Sequence, residues 1–432
     1  MQAIAELYKQ VIQRVFRSDF LKNLFIYSSG ALFLKGIAFF LIPLYTSVLA
    51  PSDYGILELL TTTSTILAIL FSFGLSQVIY VEYFHLDRAG KRDTISQITN
   101  IYTLLAIPLY IAAGIGLVYF GNVLFEQSVG IFMIVLVLLQ SFFSFYQNTF
   151  FALLQLAKKA LNLTVNKILI GIVTLVLNLY LVYYLRLGVN GILITNLGVL
   201  LLSLTYPALL YFRFIKPVKL NVKWAETSQH LKLGFPFILS SLFFWGLSGV
   251  DRWLILYYLG ESSVGIFSVA YKFSSVFEPL LIAPVLSVYT PYIFEKLSKG
   301  DSKQHKALMI FLILIAFAVL AFASQFLAQA FINVRYHDSL SLIPYLVGGF
   351  AFFFLSQLLG APILFYKKSR LLVINVALAA VFNVVFNIIF LKHFGLMGAG
   401  VAYLLSNFAW FALAAIQNSL VLKKVRESGQ PS

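Results

Sequence analysis

The chain has 432 residues, 60% hydrophobic and only 11% charged, with a mean hydropathy of +0.91. That composition excludes a soluble enzyme of this length, and the lack of cysteine excludes disulfides, thiol catalysis and thiolate metal sites. A net charge of +15 would suit nucleic acid, but its distribution along the chain points to a membrane.

In residues 1–20, Ile4, Leu7, Val11, Ile12, Val15 and Phe16 recur at helical spacing against Lys9, Gln10, Gln13, Arg14 and Arg17. The pattern predicts a short amphipathic helix in the membrane interface, although a solvated leader fits the same residues. Charges throughout this stretch leave no apolar core for a cleavable signal peptide. A bilayer core about 30 Å thick needs roughly 20 apolar residues per helix. Twelve stretches meet that need, near 22–48, 55–83, 95–120, 128–156, 160–185, 188–213, 232–259, 264–293, 306–331, 340–366, 369–393 and 395–422. The expected fold is an all-α polytopic membrane protein. A first lobe spans 21–215 and a second 232–422, joined by a cytoplasmic linker at 216–231 and followed by a cytoplasmic tail at 423–432.

The two lobes read as one six-helix unit used twice. Leu49 to Leu57 maps onto Leu259 to Phe267 at an offset of 210, as do Phe25 on Phe235, Gly36 on Gly246 and Leu44 on Leu254. Lys158 and Lys159 map onto Lys367 and Lys368 at 209, and Gly188 to Gly191 onto Gly395 to Gly398 at 207. Parallel repeats of membrane helices are a transporter architecture, with the substrate path between the halves.

If the N-terminus is cytoplasmic, the basic residues gather on that side of every span, and only Arg186, Arg335 and Lys392 fall in the opposite loops. This is the positive-inside pattern, and it places both termini in the cytoplasm. The basic patches are topology signals and lipid contacts, with no nucleic-acid partner expected.

Eight ionisable residues fall inside the predicted spans. Glu58 and Glu82 lie toward opposite ends of the second span and Lys167 can snorkel, so these three carry little weight. Lys35, Asp251, Arg252, Lys272 and Glu278 lie deeper. Each costs at least about 2.5–3.5 kcal/mol at a helix centre, so they must pair or face water between helices. Ser241, Trp245, Ser248 and Arg252 form one stripe of the seventh span. Ser28, Lys35, Phe39 and Thr46 share a face of the first, and Tyr271, Ser275 and Glu278 a face of the eighth. Asp251 and Arg252 could equally be each other's structural counter-ions, and Lys272 and Glu278 could form packing salt bridges. Hydroxyl stripes alone are ordinary packing material in membranes. Pro279, Pro284 and Pro291 make the eighth span a bending element for alternating access or a statically kinked one.

The run Asp251 to Gly260 followed by Val264 to Lys272 resembles the polysaccharide-biosynthesis, or Wzx-type, flippases of the multidrug/oligosaccharidyl-lipid/polysaccharide (MOP) exporter superfamily. Leu49 to Leu57, Phe73 to Ser76 and Gly395 to Ala402 share the resemblance. It implies two six-helix lobes around a central cavity lined mainly by spans one, two, seven and eight. The implied substrate is a polyprenyl-pyrophosphate-linked oligosaccharide carried to the outer leaflet of a bacterial inner membrane. No enzymatic activity and no cofactor are expected, coupling to H+ or Na+ being left open, and a downstream polysaccharide polymerase is a candidate partner. On this reading Lys35 and Arg252 take the anionic head group, Phe39, Trp245, Ser248 and Tyr271 line the sugar path, and Asp251 or Glu278 is the ion-coupling position. A cation-coupled multidrug exporter of the same superfamily is the nearest alternative. The related lipid II flippases typically carry two more spans. A membrane-embedded polymerase or ligase would want a larger outer loop than the short one holding Arg335, His337 and Asp338.

Overall fold

The computed structural model describes residues 19–124, 129–214, 224–276, 278–298 and 306–428, which are helical almost throughout and contain no strand. The amphipathic helix expected at 1–20 lies, but for its last two residues, outside them. In chain order the helices are α1 (Asp19–Val48), α2 (Pro51–Phe71), α3 (Leu75–Glu82), α4 (Arg88–Leu124), α5 (Ile131–Leu156), α6 (Ala160–Asn178) and α7 (Gly188–Phe214). The second half gives α8 (Trp224–Ser248), α9 (Val250–Ser275), α10 (Ala283–Ser298), α11 (Lys306–Phe331), α12 (Ile343–Phe365), α13 (Ser369–Phe394) and α14 (Leu396–Ser428). Part of the expected linker, from Trp224 onward, is helical and belongs to α8, and the expected tail continues α14 to Ser428.

Two six-span lobes follow, because α2 with α3 makes the second span and α9 runs through a turn. At Gly260 the backbone leaves helical geometry (φ 79°, ψ 176°), so residues before it finish the seventh span and residues after it begin the eighth. A π-helical turn at Glu278–Ile282 then leads into α10. The same packing recurs in both lobes: α1 lies on α6 as α8 lies on α13, and α5 on α7 as α12 on α14.

The repeat extends to single residues. Lys158 and Lys367 both adopt left-handed φ of 57°, and Gly188 and Gly395 both adopt 56°. The two central spans both break, at Phe73–Gly74 between α2 and α3 and at the π turn Glu278–Ile282 between α9 and α10. A left-handed lysine costs about 1–2 kcal/mol of backbone strain that glycine avoids. Lys158→Gly should therefore raise stability in detergent by up to about 1 kcal/mol, read as a higher unfolding temperature, with glycine's added chain entropy offsetting the remainder.

The lobes touch through backbone. On α2, a Cβ at Gly55 would strike the Glu261 carbonyl. On α9, a Cβ at Gly265 would strike that of Pro51. At this end the Tyr336 hydroxyl, on the 3-10 turn Val334–Ser341, donates to the Leu49 carbonyl at 3.1 Å, and its ring meets Tyr54 edge-on at 5.9 Å. Toward the other end Gly74 (φ 65°) abuts Gly234 of α8: a Cβ on Gly74 would strike the Gly234 carbonyl, and one on Gly234 the Phe73 carbonyl.

Candidate functional site

Between these two crossings the deep charges form two ion pairs. Lys272 reaches across the lobe boundary to Glu58 on α2 and donates also to the Tyr54 hydroxyl at 3.1 Å. Glu58 thus carries more weight than its sequence position suggested: it is 6% exposed, and burial at an inter-lobe seam requires a counter-charge. Glu82 is likewise engaged, with His230 Nε2 at 3.2 Å, so the second span joins the second lobe at Gly55, Glu58, Gly74 and Glu82. Lys272 pairs with Glu58 rather than with Glu278, whose side chain is exposed on the π turn.

The second pair, Asp251 and Arg252, lies within the second lobe. The helix breaks at Gly249 (φ −134°, ψ −28°), which frees the Ser248 carbonyl. Arg252 Nη1 donates to that carbonyl at 2.5 Å and to Asp251 Oδ1 at 3.3 Å. The guanidinium also lies over the Tyr271 ring, 4.3 Å from its centroid, a favourable cation–π arrangement. Asp251 is fully buried and its Oδ2 has no hydrogen-bond partner among the described residues. Ser248 turns its hydroxyl onto the Phe244 carbonyl, and the Trp245 indole N–H is buried without a partner among the described residues.

The residues expected to share one cavity therefore divide. Lys35 and Phe39 line a cleft of about 500 Å³ between α1, the end of α9, the π turn and α11. Its walls are largely apolar, with Leu32, Leu280, Leu320 and Leu327, and its charged groups are Lys35 and Lys272. Lys35 is exposed, with no carboxylate at ion-pair distance among the described residues, whereas Lys272 is 35% exposed beside Glu58. Arg252, Tyr271, Trp245 and Ser248 do not line this cleft.

A second cavity, about 650 Å³, lies in the first lobe between α2, α3 and α5, with Phe237, Ile238 and Ser241 of α8 closing it. Its polar wall is made of carboxamides and hydroxyls, including Gln77, Gln140, Gln147, Asn148 and Gln155. These residues were passed over in the sequence, yet a signal was there. Gln140, Ser144, Gln147, Asn148 and Gln155 fall on one face of an otherwise apolar span.

The sequence model of the polysaccharide biosynthesis protein family matches residues 20–297. No curated protein matches the chain. Among solved structures, a multidrug resistance MATE family transporter of the MOP superfamily in its inward-facing conformation is 16% identical, covering 92% of this chain and 96% of that one at a TM-score of 0.72. An outward-facing form of a MATE family transporter, also 16% identical, covers 96% and 98% at 0.60. The lipid II flippase MurJ, in an inward closed conformation, is 16% identical over 90% and 89% of the two chains, with a TM-score of 0.62. The helical repeat, the paired lobes and a family match over more than half its length agree: the chain belongs to the polysaccharide biosynthesis protein family and has the fold of the MOP superfamily.

Proposed function

We propose that the protein is a flippase that carries a polyprenyl-pyrophosphate-linked oligosaccharide from the cytoplasmic to the outer leaflet by alternating access. The observation that carries this reading is the cleft beside Lys35, an apolar-walled opening at the lobe boundary that holds an ammonium group without a counter-ion among the described residues. Its chemistry matches a ligand with a hydrocarbon tail and an anionic head. The tail lies against Leu32, Leu280 and Leu327, and the pyrophosphate accepts charge-assisted hydrogen bonds from Lys35, with Lys272 and Phe39 nearby. The family assignment and the likeness to a lipid flippase support the same substrate class.

With the termini cytoplasmic, as the basic loops indicate, the Gly55–Gly265 crossing closes the outer end and the substrate loads from the cytoplasmic side. In this scheme Arg252 holds Asp251 and positions Tyr271. Asp251 is the place where a proton or sodium ion would act. An inside-negative potential already drives an anion outward by about 2.3 kcal/mol per charge per 100 mV, so coupling is not an energetic necessity. A cation exporter would want an unpaired carboxylate facing its substrate, and the lining of this cleft contains none.

The test is leaflet exchange of a short fluorescent polyprenyl-pyrophosphate oligosaccharide in liposomes, read with an impermeant quencher. Losing one charge-assisted contact should lower turnover by Lys35→Ala at least about tenfold, with folding unchanged. Turnover equal to wild type in a folded Lys35→Ala protein would remove the head-group assignment. Absence of exchange by wild type across several glycans and ion gradients would remove the flippase reading.

A further inference from the structure

We propose that the uncharged cavity of the first lobe is the glycan subsite, and that it selects neutral sugars. The proposal rests on the flippase reading above and adds to it where the sugar sits and what chemistry reads it. Among the described residues the cavity wall contains no carboxylate, ammonium, guanidinium or imidazole group, so none of them pairs with an ionised sugar. It offers instead what a pyranose needs: amides that donate and accept at once, hydroxyls, and aromatic rings for the C–H faces. Its volume of about 650 Å³ lies within the usual range of small-molecule sites.

The wall contains both fixed and unspent groups. Gln147 Nε2 donates to Ser203 Oγ at 2.6 Å, and the Tyr80 hydroxyl donates to Gln155 Oε1 at 2.6 Å. These bonds hold the frame. The side chains of Gln77, Gln140 and Asn148 line the same cavity and make no side-chain hydrogen bond to any described residue, so their donors and acceptors remain open to a ligand. Gln77 and Asn148 are exposed and Gln140 is half-buried, so in the empty cavity their amides are solvated and stand open to exchange water for a ligand. Three unspent amides on a shared cavity point to a polar guest.

Placement agrees with a tethered substrate. Helix α2 bears Glu58, the partner of Lys272 at the lipid-facing cleft, and six residues further it contributes Ser64 to the polar cavity. Six residues of helix advance about 9 Å, so the α2 residues serving the two sites lie within about two turns of one another. The far wall, Phe237, Ile238 and Ser241, belongs to the other lobe and is held there by the Gly74–Gly234 crossing. Separating that crossing takes one wall away, so the cavity loses its grip when the lobes rearrange.

The experiment compares two probes on the purified full chain in detergent: a short polyprenyl pyrophosphate without sugar, and the same lipid bearing a neutral oligosaccharide. Wild type should bind the glycosylated probe more tightly. Gln140→Leu/Asn148→Leu should weaken the glycosylated probe about tenfold, by loss of two or more hydrogen bonds, and leave the sugarless probe unchanged. As a milder companion, Asn148→Asp keeps the shape but places a carboxylate in the wall. It should lower affinity for a uronic-acid-bearing probe several-fold more than for the neutral one. Wild-type binding of both probes with equal affinity, or a double variant that leaves the glycosylated probe untouched, overturns the subsite while the flippase reading stands. Wild type binding neither probe overturns both.

Discussion

Asp251→Ala is expected to destabilise the solubilised protein by about 3–5 kcal/mol, because it leaves the Arg252 guanidinium buried without its anion. Arg252 is 5% exposed and Asp251 wholly enclosed, so water cannot replace the missing charge. The remaining contacts, the Ser248 carbonyl and the Tyr271 ring, are neutral and do not compensate. Arg252→Ala should cost a comparable amount by exposing the reverse problem, a carboxylate with no cation beside it. Replacing both together, as Asp251→Leu with Arg252→Leu, should recover most of the loss, since an apolar pair in the same space has no desolvation debt. Thermal unfolding of the four proteins in one detergent decides the matter. Single and double variants melting alike would mean the pair contributes nothing as a pair. The outcome also bears on transport: a function lost in Arg252→Ala but recovered in the double variant marks the pair as structural, whereas loss in both marks Asp251 as part of the cycle.

The second large effect is expected at the lobe crossing. Gly265→Val puts side-chain atoms into the Pro51 carbonyl and the Gly55 nitrogen, which are backbone atoms with no rotamer to yield. α2 and α9 must move apart, taking the Tyr336–Leu49 bond and the Lys272–Glu58 pair with them. Turnover should fall more than about tenfold, in line with the cost of overpacking a closely fitted contact. Because the chain has no cysteine of its own, Ser52→Cys and Ser262→Cys can carry a pair of spin labels with no background. The distance between them should lengthen in Gly265→Val. An unchanged distance in a transport-competent Gly265→Val protein would show that the crossing does not hold this end shut.

Much of the architecture could be read directly. Offsets between Leu49–Leu57 and Leu259–Phe267, or between Lys158 and Lys367, foretold a duplicated fold; the structure adds matching backbone turns, because the same local sequence problem has the same local solution. That Asp251, Arg252 and Lys272 each need a counter-group was legible as well, from the apolar flanks around them, and each has one, whereas Glu278, expected alongside them, is exposed. Partnership was not. Glu58 and Lys272 are 214 residues apart, and only the packing of α2 on α9 brings them together. The break at Gly249, which separates the Trp245 stripe from Arg252, has no local signature beyond one glycine in a hydrophobic run. The amides of α5 were visible at helical spacing, but amides in membrane helices usually cement packing, and only the missing partners of Gln140 and Asn148 set them apart.

The Gly55–Gly265 crossing has a geometric property with evolutionary reach. Residues 51 and 55 meet 265 and 261, and each pair is the other shifted by 210. Contacts that exchange under a half-turn are isologous, the kind that joins two identical subunits about a two-fold axis. Two separate copies of a single six-helix polypeptide could close on each other through this one glycine without any prior adaptation. A fusion of two such copies would need to add only the connector between them. Halves joined in one chain are free to differ, as they do here, where the first lines an uncharged pocket and the second holds the Asp251–Arg252 couple.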